Sequence, residues 1–262
     1  MGIVNVTGDS FYGESRRSCR REAVEAALAH LDEGADLVDI GGESTRPGAL
    51  PLPVDEEISR VVPVITEIRR KRPDAVLSVD TRKAPVALAA VEAGADIIND
   101  VSGLRFDPGM TETLASLQVP VILMHSRKTP EDMQESPRYG QVVREVWEEL
   151  DETLEKACSA GIAREAVVLD PGLGFAKNAS HNLNLLKHLR AFRTLGRPLL
   201  VGHSRKTTIG QVLSITDPAD RLEGTLAVTA IAAWLGVSLV RVHDVRENLR
   251  VVRMVHAIRE AS

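Results

Sequence analysis

Eight short apolar runs, helical patterns between them and a length of 262 residues predict a single-domain α/β fold, the (β/α)8 or TIM barrel. The runs are rich in Val, Ile and Leu and show little polar alternation, so they read as strands buried on both faces, as in a parallel sheet. Eight strands is the number that closes a barrel of roughly 250 residues. A doubly wound open sheet is the competing architecture.

The runs are GIVNV (2–6), LVDI (37–40), VLSVD (76–80), IIND (97–100), VILM (121–124), VVLD (167–170), LLVG (199–202) and LVRV (239–242). Between them, apolar residues at helical spacing predict helices at 20–33, 55–71, 83–93, 110–117, 142–160, 181–195, 221–235 and 245–260, with one extra turn at 209–213. Gly34, Gly94, Gly161, Gly196 and Gly236 each follow a helical pattern shortly before the next strand. Glycine past a helix end takes the left-handed cap conformation at low cost. The repeated GAD at 34–36 and 94–96 is therefore a helix-to-strand turn and not a ligand motif. No linker or composition shift divides the chain, so 1–262 reads as one domain. The first run begins at Gly2 with no lead-in to cover the barrel floor, and the expectation is that the natural chain starts upstream or has been trimmed.

Composition bounds the function. The chain is 44% hydrophobic and 26% charged, as in ordinary globular proteins. Aromatics make up only 3%, so aliphatic residues must build the core. The net charge is −5 and no basic patch is interleaved with aromatics, which argues against a nucleic-acid partner. No apolar run approaches the roughly 20 residues of a bilayer span, and the N-terminus has no secretion-signal pattern. Cys19 and Cys158 have no metal-like spacing and read as incidental thiols of a reducing cytosol, so a cytoplasmic location is expected.

Barrel enzymes carry their chemistry at the C-terminal ends of the strands. Here those ends are polar: Asn5 and Thr7, Asp39, Asp80, Asn99 and Asp100, His125, Asp170, His203 with Ser204, Arg205 and Lys206, and Arg241 with His243 and Asp244. A lone Asp at a strand end is often a helix cap. So many converging on one mouth point to a polar ligand. Carboxylates and an amide suit a heterocycle with N–H donors, lysine suits a carbonyl oxygen, and arginine and histidine suit an anion. Three loops add to this. GGESTRPG (41–48) is long and suited to closing over a substrate. DPGLGF (170–175) is a glycine-rich turn that allows close backbone approach. SRKTTIG (204–210) sets basic residues before a short helix, a common place for phosphate.

At these loops the sequence resembles the dihydropteroate synthase family. The matching pieces are MGIVNVT and DSF at 1–11, VDIGGESTRPGA at 38–49, SVDTRK at 78–83, GADIINDVSG at 94–103, LMH at 123–125, DPGLGFAKN at 170–178, SRK at 204–206 and RVHD at 241–244. They span essentially the whole chain in the family's order. The resemblance implies that Asp80, Asn99, Asp170 and Lys206 bind a pterin ring, with Asp80, Asp170 and Lys206 serving catalysis and Met124 and Phe175 lining the slot. It implies that Asn5 helps hold Mg2+ near a diphosphate bound by Arg241 and His243. Asp9 and Phe11 match the first loop and Thr45 and Arg46 the second, which with Lys206 and Thr207 border the p-aminobenzoate site. The implied reaction joins a dihydropterin methyl diphosphate to p-aminobenzoate without a covalent enzyme intermediate. A homodimer through the last helices is also implied, with Ile231, Trp234 and Leu235 as candidate contacts.

Two departures from the family pattern stand out. The first loop reads TGDSFYGESRR, with Gly8 where the family usually has proline, and its ESRR resembles the loop of sulfonamide-insensitive synthases. Thr207 and Thr208 follow SRK, where the family often has Ser and an apolar residue. Both bear on drug response and p-aminobenzoate affinity. Four other readings compete. A metal-dependent barrel hydrolase would need clustered ligands such as H-x-H after the first strand, and residues 1–8 contain no histidine. A Schiff-base aldolase using Lys206 is disfavoured by the neighbouring Arg205 and hydroxyls. A pterin-dependent methyltransferase would share the carboxylate set but not STRPG with SRK and RVH. A degenerate pterin-binding paralogue would bind without turnover.

Overall fold

The computed structural model describes residues 1–6, 13–44, 49–127 and 138–261, with 13–18 as backbone only. Eight strands are present among them: β1 (Gly2–Asn5), β2 (Leu37–Gly41), β3 (Val76–Asp80), β4 (Ile97–Asp100), β5 (Val121–Met124), β6 (Val167–Asp170), β7 (Leu200–Gly202) and β8 (Leu239–Arg241). β1 to β6 form one parallel sheet in sequence order, and β7 pairs in parallel with β8. Parallel bridges Leu169↔Leu199 and Gly2↔Val242 join these two pieces on both sides. Ile3 N donates to Val242 O at 3.0 Å and Val242 N to Met1 O at 3.0 Å, which closes the ring as a (β/α)8 barrel.

The helices are α1 (Gly13–Asp32), α2 (Val54–Lys71), α3 (Ala84–Glu92), α4 (Met110–Leu117), α5 (Val142–Ser159), α6 (Ala179–Lys187), α7 (Leu189–Phe192), α8 (Thr207–Leu213), α9 (Leu222–Trp234) and α10 (Val245–Glu260). Two differ from the sequence expectation. α1 begins at Gly13, not at residue 20, because its first turns are polar and carry no apolar period. The helix expected over 181–195 breaks at His188 into α6, α7 and a 3-10 turn at Arg193–Leu195. The five glycines after helices all have positive φ, from +70° at Gly196 to +109° at Gly94, as left-handed caps require. No helix among the described residues is long and apolar enough to cross a membrane.

Side chains alternate along each strand between helix-facing and barrel-facing positions. Val38, Ile40, Leu77, Val79, Ile98, Leu123, Val167, Leu169 and Val201 pack outward against the helices in the main core. Met1, Leu37, Ile122 and Leu200, with Ile97, Val168 and Leu239 packed against them, form a separate apolar layer that fills the barrel floor. Above that layer the same faces carry polar residues, so the barrel interior is apolar at one end and ionic at the other.

A buried ionic cluster ties α2 to the loops above β2 and β3. Lys83 Nζ bonds both Glu43 and Glu57, Thr81 Oγ1 donates to Glu57 Oε1 at 2.7 Å, and Arg82 Nε donates to Glu43 Oε1 at 2.8 Å. Burial opposes ionisation of Glu43, yet Lys83, Arg82 and the Leu52 N–H hold its carboxyl below the usual range. Glu57 is only 1% exposed. Removing one partner of such a cluster strands the other charges. Glu57→Ala is therefore expected to lower the unfolding free energy by about 3–5 kcal/mol, read from urea denaturation; a change within experimental error would show that Glu43 alone satisfies Lys83.

Candidate active site at the barrel mouth

Strand alternation brings five polar side chains onto the inner wall above the apolar floor: Asp39 from β2, Asp80 from β3, Asn99 from β4, Asp170 from β6 and Arg241 from β8. Asp39 has no exposed surface. Its carboxylate accepts from Ser78 Oγ at 2.6 Å, Asn99 Nδ2 at 3.0 Å and Arg241 Nε at 2.6 Å. Arg241 reaches on to Asp80, with Nη2 2.8 Å from Oδ2. One guanidinium thus spans the mouth from β8 to β2 and β3. Those bonds use two of its five N–H donors.

The opposite wall belongs to Asp170 and Lys206. Asp170 Oδ1 accepts from Gly172 N at 2.7 Å. Lys206, at the start of α8, donates through Nζ to Leu173 O and lies 4.6 Å from the centre of the Phe175 ring. Met124 at the end of β5 is 3% exposed, and Phe175 is half-buried. The four positions matched to a pterin site therefore do share one mouth, and Met124 and Phe175 border it.

The protonation of this mouth follows from its burial. Burial pushes the Asp80 carboxyl up to about 7; Arg241 opposes the rise, and Asp39, Glu57 and Glu43 add to it. Burial also raises Asp170, against the pull of Lys206 and the Gly172 N–H. Burial draws Lys206 down to about 8, with Asp170 opposing and Arg241 assisting. The Arg241 guanidinium stays charged, because Asp39 and Asp80 more than offset its burial.

His243 is shaped by the same burial. Burial, Arg205 and Arg241 depress its imidazole to about 4. Ser204 Oγ accepts from His243 N at 3.2 Å and lies 3.0 Å from Nδ1. The consistent arrangement has Ser204 donating to Nδ1 and the proton on Nε2. His243 is then a neutral hydrogen-bond donor toward an anion and not a cation. Asn5 is exposed at the end of β1, and Thr207 is exposed at the first turn of α8. Asp9, Phe11, Thr45 and Arg46, with Thr7, lie outside the described residues.

Several strand-end residues turn away from the mouth. Asp100 braces the following loop, accepting from Ser102 N at 2.8 Å and Leu104 N at 2.7 Å. His125 contacts Glu149 and Lys177. His203 contacts Thr225 O at 3.1 Å and Thr229 Oγ1 at 2.8 Å on α9. Arg205, expected beside a phosphate, is paired with Asp244. Thr208 accepts from Asn182 Nδ2 at 2.8 Å and ties α8 to α6. Conversely, Asp39 is central to the mouth although the sequence reading gave it no binding role. Its place on the same strand face as Gly41, in register with Ser78 and next to Asp80, is the signal that marks it.

The chain matches the family model described as pterin binding enzyme over residues 1–243. It is 45% identical over 257 residues to the dihydropteroate synthase of Escherichia coli (strain K12), covering 98% of this chain and 90% of that one. Among solved structures it resembles Xanthomonas albilineans dihydropteroate synthase with 4-aminobenzoic acid, with a TM-score of 0.92, 44% identity and coverage of 100% and 93% of the two chains. It also resembles the same enzyme in complex with 7,8-dihydropteroate, with a TM-score of 0.89, 41% identity and the same coverage.

The ionic mouth has a stability signature. In the unfolded chain Asp80 ionises near its ordinary 3.8, whereas in the fold it does so near 7. Between these values the native state holds an extra proton, so the contribution of Asp80 is full below about pH 4 and is lost as pH rises through about 7. The stability of the unaltered protein relative to Asp80→Asn is expected to fall across that window by on the order of a few kcal/mol, read from melting curves at several pH values. A difference that stays flat with pH would contradict the raised carboxyl.

Proposed function

The chain belongs to the dihydropteroate synthase family of pterin-binding enzymes, and on that premise we propose how its barrel mouth performs the transfer. The enzyme is a transferase of folate biosynthesis. It condenses 6-hydroxymethyl-7,8-dihydropterin diphosphate with p-aminobenzoate to give 7,8-dihydropteroate and diphosphate. One observation carries the assignment of the site: Asp80, Asn99, Asp170 and Lys206 line a single mouth, and Arg241 and the neighbouring His243 stand beside Asp80 on it. The domain that does this is taken to be the whole chain, 1–262.

In this reading Asp80, Asn99 and Asp170 accept from and donate to the edge of the pterin ring, and Lys206 donates to its carbonyl oxygen. Met124 and Phe175 cover the ring's faces. Arg241 offers its remaining N–H donors and His243 its Nε2–H to the diphosphate. Thr207, with Asp9, Phe11, Thr45 and Arg46 from the loops outside the described residues, borders the p-aminobenzoate side.

The residues present fit a magnesium ion held chiefly by diphosphate and water. Among the described residues no three His, Cys, Asp or Glu form a metal cluster. Magnesium in such sites takes few protein oxygens beside phosphate and water, and the exposed Asn5 amide would supply one. When bound, Mg2+ would neutralise part of the diphosphate charge.

The reaction breaks the C–O bond of the pterin methyl group, and the electron pair leaves with the diphosphate. The resulting cation is delocalised into the pterin ring, where the carboxylates of Asp80 and Asp170 stabilise it electrostatically. The neutral amine of p-aminobenzoate gives its lone pair to the methylene carbon, forming the C–N bond, and then loses a proton to water. No side chain is required as a nucleophile. A pterin-dependent methyltransferase lacks this support, since it does not need an anion rim together with a pterin slot; a binding-only paralogue is separated by turnover.

We place the protein in the cytoplasm, consistent with free Cys19 and Cys158. A homodimer is supported by an exposed apolar face on α9 and α10: Ile231 (49%), Trp234 (50%), Met254 (61%) and Ile258 (51%). Leu235 is partly buried and also packs against the main core. Light scattering should give a mass about twice that of one chain, and Trp234→Glu should shift it toward the monomer; a monomeric unaltered protein would overturn the dimer.

Turnover is tested by incubating the protein with the pterin diphosphate, p-aminobenzoate and magnesium and following diphosphate release. Release should require p-aminobenzoate. Asp170→Asn and Lys206→Ala should each reduce kcat/KM by about 100-fold or more. Pterin binding without release would favour the paralogue, and neither binding nor release in folded protein would reject the assignment.

A further inference from the structure

Lys177 is only 2% exposed and is among the largest fully buried side chains of the protein. Among the described residues no carboxylate forms a salt bridge with it. Its Nζ instead lies 2.9 Å from Phe175 O, 3.0 Å from Gly172 O, 3.3 Å from His125 O and 3.0 Å from His125 Nδ1. His125 turns its Nε2 to Glu149 Oε2 at 3.0 Å, and Glu149 is held in turn by Arg127. A consistent proton arrangement runs through this chain: Lys177 donates to Nδ1, and Nε2–H donates to Glu149.

Burying an ammonium is costly unless its donors are satisfied. Here the partners are carbonyls from two backbones, the end of β5 and the loop that follows β6. That loop is conformationally demanding. Gly172, Gly174 and Ala176 have φ of +68°, +83° and +49°. Gly172 lies so close to β5 that a Cβ would sit 2.0 Å from His125 O. Ala176 carries a side chain in the left-handed region, which costs about 1–2 kcal/mol. A loop of this kind keeps its shape only where its surroundings over-determine it.

The loop faces the mouth. It begins at Asp170, its Leu173 carbonyl receives Lys206, and its Phe175 ring lies beneath the same ammonium. We propose that Lys177 is a positioning residue for the pterin pocket: its buried ammonium pins residues 171–176 to the end of β5 and thereby sets the places of Phe175 and Lys206. This rests on the reading of the mouth as a pterin site. Burial draws Lys177 down to about 7 and raises Asp170, and each of the two opposes that effect on the other; the hydrogen bonds to Gly172 O and Phe175 O hold the amine in place.

Lys177→Met keeps the length of the side chain and removes its donors. In steady-state kinetics below its melting temperature, KM for the pterin diphosphate should rise about tenfold or more. Calorimetry with 6-hydroxymethylpterin, which lacks the diphosphate, should show a matching loss of affinity of about tenfold. A lower melting temperature with pterin affinity within about twofold of the unaltered protein would make Lys177 a stability residue and overturn the proposal. In a cycle with Phe175→Leu, the combined loss of pterin affinity should fall short of the product of the single losses by about fivefold; independent losses would overturn it. Should Lys177→Met not fold, Glu149→Gln loosens the same chain through His125, and pterin KM should rise about two- to fivefold; no rise there counts against the proposal. Failure of the unaltered protein to release diphosphate would sink the reading of the site itself. Normal release with unchanged variant affinities sinks only the role of Lys177.

Discussion

The ion pair between Asp39 and Arg241 governs the geometry of the barrel mouth. A carboxyl with no exposed surface in the middle of a barrel is expensive, and removing its partner would be more so. The fold meets that cost with three donors from three different strands: Ser78, Asn99 and Arg241. Those bonds fix more than Asp39. They orient the Asn99 amide, because its nitrogen is committed and its oxygen is thereby aimed elsewhere. They also hold Arg241 where its second arm meets Asp80. Asp80, Asn99 and Arg241 are arranged before any ligand arrives, which is what electrostatic preorganisation requires.

The two walls are built on different principles. The Asp39–Asp80–Arg241 wall is rigid because it lies on strands, and its groups are held side chain against side chain. The Asp170–Lys206 wall lies where a strand gives way to loop, and its order comes from backbone carbonyls gathered by two lysines. Lys206 takes Leu173 O from the solvent side, and Lys177 takes Gly172 O and Phe175 O from within.

Much of this was legible in the sequence. The apolar runs gave strands within a residue or so, since short Val-, Ile- and Leu-rich runs bounded by turn residues suit buried parallel strands even where they end in a polar residue. Glycines after helices marked turns reliably, because only the left-handed cap needs them. Polar runs defeated the reading of α1, whose first turns have no apolar stripe, and His188 breaks a helix without glycine or proline to announce it. At the site, listing strand-end residues found the mouth but collected too much. Asn99 and Asp100 are neighbours, and strand alternation alone assigns them to opposite faces; Asp100 duly braces a loop. The neutral form of His243 follows first from its burial, then from Arg205 in the loop after β7 and from Arg241 two residues before it, and burial is not written in a local run of sequence. Lys177 was hidden for another reason: a loop lysine is ordinarily solvated, and its burial follows from where the 171–176 turn returns to β5.

The bond between Arg241 and Asp39 joins residues 202 positions apart. During synthesis at about 5–20 residues per second, β2 emerges roughly 10 to 40 s before the residue that neutralises it. Until that strand is in place Asp39 has no Arg241 to pair with, and burying its ionised form without a partner is unfavourable. The charge pair thus ties completion of the mouth to arrival of the last strand.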